Sequence, residues 1–148
     1  MQDFLNSLEF ENSLIKVADS ILSSHADVRR HQRIGSGTNL WELDYVFEPR
    51  VGSAERRMYI FEFKYSPSPT LADSVIFTQF ARFSALGNAN RTRQLSFLLV
   101  TNGRVPATVE RPPHSVFIID EVRTEKVWRE KLKSWLNKEL PDFPCHSR

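Results

Sequence analysis

Between Met58 and Tyr65 the chain reads M-Y-I-F-E-F-K-Y. Tyr59, Phe61, Phe63 and Tyr65 alternate with Ile60, Glu62 and Lys64. A period of two in aromatic and β-branched residues dictates a strand, because successive side chains of an extended backbone leave on opposite faces. The aromatic set belongs to the core, so Glu62 and Lys64 stand side by side on the other face. A second alternating run, Leu40 to Phe47, carries Asp44. Here Trp41, Leu43, Tyr45 and Phe47 are expected on one face, and Glu42, Asp44 and Val46 on the other. A carboxylate and a lysine two residues apart on one strand, with an aspartate from the strand before, can bind a divalent cation and steer a water onto a phosphate.

The use of cations sharpens this. Of the 20 basic residues 14 are arginine, and Lys64 is the sole lysine between Lys16 and Lys126. A surface position in such a chain would be filled by arginine, so a lone ammonium at position 64 points to a specific task. The net charge of +2 fits a nucleic-acid partner in sign but is too small to decide. With 41% hydrophobic and 26% charged residues the 148-residue chain is globular and long enough for one core. No apolar run reaches the roughly 20 residues of a membrane span. One cysteine, Cys145, allows no internal disulfide and no thiolate cluster, which suits a reducing cytoplasm. A single domain over residues 1–140 is expected, with a free tail from 141 to 148.

In chain order, Asp3 to Ser24 reads as a helix capped by Asp3, with an apolar stripe of Phe10, Leu14, Val17, Ala18, Ile21 and Leu22. Glu11 lies on or beside that stripe. It either reaches water or an arginine at the edge, or leans into a site over the sheet. Val28 to Ile34 is a strand bearing Arg29, Arg30, His31 and Arg33, either a charged solvated edge or a set of phosphate contacts. Residues 35–39 make a loop. After the strand ending at Tyr65, Ser66 to Thr70 breaks the chain, and Thr70 or Asp73 opens a helix that Gly87 ends. Gln79 sits close to the apolar side of that helix. Leu95 to Thr101 is a central strand buried on both faces, and Ser115 to Asp120 a short last strand. Thr124 to Leu140 is an amphipathic helix whose Trp128 and Trp135 serve either the core or a dimer face. Three strands in a meander, then strands reached through a helix, give an α/β fold with a mixed sheet of about five strands flanked by helices.

Asp44 followed by Glu62-x-Lys64 on the next strand resembles the signature of the PD-(D/E)XK nuclease superfamily, and the order of elements resembles its restriction-endonuclease-like core. Phe10-Glu11 is similar to the helical acid of the Holliday-junction resolvase and Mrr-like branches, and Gln79 occupies a position often filled by glutamine. Leu43 stands where many members have proline. The resemblance implies a Mg²⁺-dependent endonuclease acting on DNA, with Mn²⁺ as a substitute and RNA still open as a substrate. It implies metal ligands from Asp44, Glu62 and the Phe63 carbonyl, and Lys64 assisting the attacking water. Glu11 and Gln79 are implied auxiliaries, and Arg30, Arg33 and Arg82 are candidate nucleic-acid contacts. Many nucleases of this fold pair, so a homodimer is compatible. Two other readings remain: a nuclease-fold binding or scaffold module that no longer cuts, and an interaction protein in which the trio is a solvated face. Short loops favour structure-selective over sequence-selective recognition. No nucleotide-binding glycine loop, zinc spacing or hydrolase triad is present, and the four histidines show no pattern.

Overall fold

The computed structural model describes residues 4–36, 39–50, 57–91, 94–112 and 115–144. Helix α1 spans Ser7–Leu22, strands β1 to β3 span Ala26–Ser36, Asn39–Pro49 and Arg57–Lys64, and α2 spans Asp73–Ala89. Strands β4 and β5 span Gln94–Thr101 and Val116–Ile119, and α3 spans Glu125–Glu139. The five strands form one sheet in sequential order. β1, β2 and β3 pair antiparallel, and β4 and β5 add in parallel. This is the mixed α/β architecture expected from the sequence.

Both faces of the sheet are covered. One core layer joins α1 and α3 to Tyr45, Phe47, Tyr59, Phe61 and Phe63. Trp128 is fully buried there, and its indole N–H donates to the Leu14 carbonyl at 3.0 Å, tying α3 to α1. Trp135 is also in this layer, so both tryptophans serve the core. The second layer joins α2, through Ile76, Phe80, Phe83 and Leu86, to Leu43, Val46, Ile60, Phe97 and Leu99. The near-continuous apolar run of β4 follows from this double coverage.

Element ends differ from expectation where local chemistry competes. Asn6 caps α1, its side chain accepting the Glu9 N–H at 2.9 Å; Asp3 lies outside the described residues. No side chain caps α2, whose N-cap is Ala72. Gly87 does not end that helix. The helix continues to Ala89, and Asn90 closes it, donating from Nδ2 to the Leu86 carbonyl at 2.9 Å. A single glycine costs a helix only about 1 kcal/mol, and the Asn90 bonds to the Leu86 carbonyl close the extra turn. Thr124 caps α3 as its position suggests. The expected loop at 35–39 is tighter, because the β1–β2 ladder runs out to Ser36 opposite Asn39. Phe143, within the expected tail, is buried against Phe47 and His25.

The turn after β4 braces the segment after β3. The Asn102 side chain accepts the Ser66 N–H at 2.6 Å and donates to the Ser66 carbonyl at 2.8 Å. A Cβ on Gly103 would lie 2.9 Å from Ser66 Cβ and 3.0 Å from the Leu71 nitrogen. Gly103→Ala is therefore expected to cost about 1–3 kcal/mol through overpacking. A lowered urea midpoint checks this; an unchanged midpoint would show that the segment yields freely.

Candidate active site

The site forms where β2 and β3 part. Their ladder holds only for Tyr45, Val46 and Phe47 against Phe61, Ile60 and Tyr59. Beyond it, side chains replace backbone partners. The Asp44 N–H donates to Glu62 Oε2 at 2.9 Å, and the Phe63 N–H donates to Asp44 Oδ2 at 2.9 Å. Each carboxylate thus takes up an amide from the opposite strand, where it would otherwise lack a partner. These bonds place both acids at the mouth of the gap.

The alternation expected for β2 fails at this level. Tyr45 and Phe47 join the α1/α3 layer, but Leu43 joins the α2 layer and Trp41 packs against it. β1 switches with it: Val28 packs on the first layer and Ile34 belongs to the second. At this level His31 has a φ of 50°, in the left-handed region. His31 falls opposite Asp44 in register, between the pairs Arg30–Tyr45 and Gln32–Leu43. Both strands change layers across this level.

Glu62 is no wet-face acid. It is 1% exposed. Burial, then the charge of Asp44, pushes its carboxyl up to about 7, against the opposing hydrogen bond from the Asp44 amide and the attraction of Arg82 and Lys64. Arg82 Nη1 lies 3.6 Å from Glu62 Oε1, and its other terminal nitrogen donates to the Glu42 carbonyl. Arg82, expected to contact nucleic acid, is thus drawn into the site as the counter-charge of Glu62. A cavity of about 310 Å³ opens beside Lys64, lined also by Gln79, Arg82, Thr78 and Ser74. Gln79 is buried, and its Nε2 has no hydrogen-bond partner among the described residues. A glutamine serving only the helix would be expected to satisfy that donor.

Glu11 leans into the site from α1. Burial, then the Asp44 charge, raises its pKa, and a side-chain hydrogen bond with Asp44 acts in the same direction. One ligand atom each from Glu11, His31 and Asp44 lie within 4.8 Å of one another. Opposite ligands of a small dication are about 4 Å apart, so small rotations let these three share one ion. The donor set fits a divalent metal. His31 showed no pattern in the sequence, because its place opposite Asp44 depends on strand register. Arg30 pairs with Asp19 of α1, which also accepts the Tyr45 hydroxyl. Arg33 is exposed on β1.

No family model matches the chain, and no curated protein does. Solved structures do. A protein of unknown function, AF1548, superposes with a TM-score of 0.51 at 15% identity, covering 83% of this chain and 66% of that one. The Thermococcus gammatolerans assembly of McrB AAA+ hexamers with bound McrC gives 0.50 at 14% identity, covering 86% and 33%. The MspJI restriction endonuclease in complex with a 27-mer oligonucleotide gives 0.47 at 15% identity, covering 94% and 34%. The chain spans between one third and two thirds of the length of these structures. At such identities the likeness is one of fold. Among the described residues no helix is long and apolar enough to cross a membrane.

Proposed function

We propose that this chain is a metal-dependent endonuclease that hydrolyses phosphodiester bonds in DNA. The observation that carries the reading is the buried Glu62 bonded to the Asp44 amide, with Lys64 two residues on. A buried carboxylate with a raised pKa, held against a second acid in a cleft, is costly to fold around and repays that cost only through a ligand or a reaction. A solvated-face role does not fit an acid that is 1% exposed.

Asp44 is shared between Glu11, beside its carboxylate, and Glu62, bonded to its amide. These acids, with the Phe63 carbonyl, are the proposed holders of Mg²⁺ or Mn²⁺. The ion supplies charge neutralisation at the phosphate and lowers the pKa of a bound water. Lys64 orients the attacking water and offsets negative charge as it develops on the phosphate. Arg82 balances the charge of Glu62 and, with a cation holding that acid, would be available to a phosphate oxygen. Gln79 Nε2, without a partner among the described residues, donates to the same phosphate from the cavity beside Lys64.

Lys64→Ala is expected to slow cleavage by roughly 10²- to 10³-fold while the variant still shifts DNA on a gel in Ca²⁺. Unchanged cleavage would remove Lys64 from the chemistry. The second reading, a module with the nuclease fold that binds but does not cut, draws on the Arg82–Glu62 pair, which neutralises the acid without an ion. DNA retention by the wild type, with no cleavage in any metal, would favour it.

A further inference from the structure

We infer that His31 is a metal ligand, and that the site therefore favours transition ions, with Mn²⁺ as their paramagnetic probe, over Mg²⁺. The inference builds on the nuclease reading above and adds the nature of the ion and one first-hand ligand from β1. A potential ligand nitrogen of His31 lies within 4.8 Å of both a Glu11 and an Asp44 oxygen. The position is built by the fold. His31 occupies the one level at which the β1–β2 hairpin inverts, opposite Asp44, with φ at 50°. A non-glycine residue holds that conformation only where its surroundings over-determine it. His31 is exposed and, with Asn12, Lys16 and Asp19 of α1, lines a groove of about 640 Å³.

Ligand chemistry sets the preference. Mg²⁺ takes oxygen ligands and gives up its waters reluctantly. Imidazole suits transition ions, whose affinity for nitrogen-bearing sites exceeds that of Mg²⁺. Two carboxylates alone would leave Mn²⁺ and Mg²⁺ close competitors; adding the His31 nitrogen separates them.

The test is calorimetric titration of the whole chain with MnCl₂ and with MgCl₂ after metal stripping, paired with pulsed electron paramagnetic resonance of the Mn²⁺-loaded protein. The expected result is Mn²⁺ binding at least roughly tenfold tighter than Mg²⁺, with ¹⁴N coupling from a directly bound imidazole. His31→Gly tolerates the positive φ, so it is expected to keep a cooperative melt, to lose the coupling and to bring the two affinities together. Mn²⁺ bound without ¹⁴N coupling in the wild type overturns the inference and leaves the nuclease reading standing. Failure of both ions to bind overturns the two together.

Discussion

Asp44→Asn is expected to abolish Mn²⁺ binding and to lower DNA cleavage by at least about 10²-fold, while the protein stays folded. An Asp44 carboxylate oxygen lies within 4.8 Å of potential ligand atoms of Glu11 and His31, and the carboxylate accepts the Phe63 N–H at 2.9 Å. An amide oxygen can still accept that backbone bond, so β2 and β3 keep their link. It carries no charge, and a dication among hard oxygen ligands depends on charge. The expected pattern is a near-native thermal midpoint, no heat on Mn²⁺ titration and residual cleavage near background. A variant that unfolds would make Asp44 a structural residue first. A variant that binds Mn²⁺ as the wild type does would remove it from the metal site.

Glu62→Gln is expected to separate function from stability. Cleavage falls by about 10²-fold or more, yet the metal-free variant becomes more stable than the wild type at pH 8. In the folded chain burial, followed by the Asp44 charge, raises the Glu62 pKa from the ordinary 4.5 to about 7. The folded protein therefore holds a proton that the unfolded chain has released between those values. Stability contributed by this group is full below pH 4.5 and is lost as pH rises through 7. At about 1.4 kcal/mol per pH unit the loss is at most about 3–4 kcal/mol. Glutamine does not titrate, and its amide oxygen can keep the bond from the Asp44 N–H. Arg82, about 30% exposed, can turn to water when its counter-charge goes. Urea denaturation in chelator at pH 5 and pH 8 checks this: the wild type should weaken between the two by more than the variant. Equal slopes would mean that Glu62 is ionised in the folded protein at low pH.

The placement of Glu62 and Lys64 on the face opposite the aromatics was legible because β3 alternates without a break. Gln79 was legible as a polar residue among Ile76, Phe80 and Phe83. The coverage of both sheet faces was legible only for β4, whose apolar run is continuous; on β3 the same burial hides behind Glu62 and Lys64. The switch of faces at Asp44 left no trace, because a left-handed φ at a histidine has no signature in sequence. His31 was lost with it. The pairing of Arg82 with Glu62 was equally hidden, since it depends on how α2 is rotated over the sheet. The end of α2 lies beyond Gly87 because glycine costs a helix only about 1 kcal/mol and Asn90 closes the next turn on the Leu86 carbonyl.

The most direct test of the central claim is phosphodiester cleavage by the wild-type chain. Supercoiled plasmid, linear duplex, a four-way junction, and single-stranded DNA and RNA would each be incubated with Mn²⁺, with Mg²⁺ and with chelator. The account predicts cleavage of DNA that chelator stops and that added metal restores. Intact substrates under every condition, or cutting that persists in chelator, would contradict it.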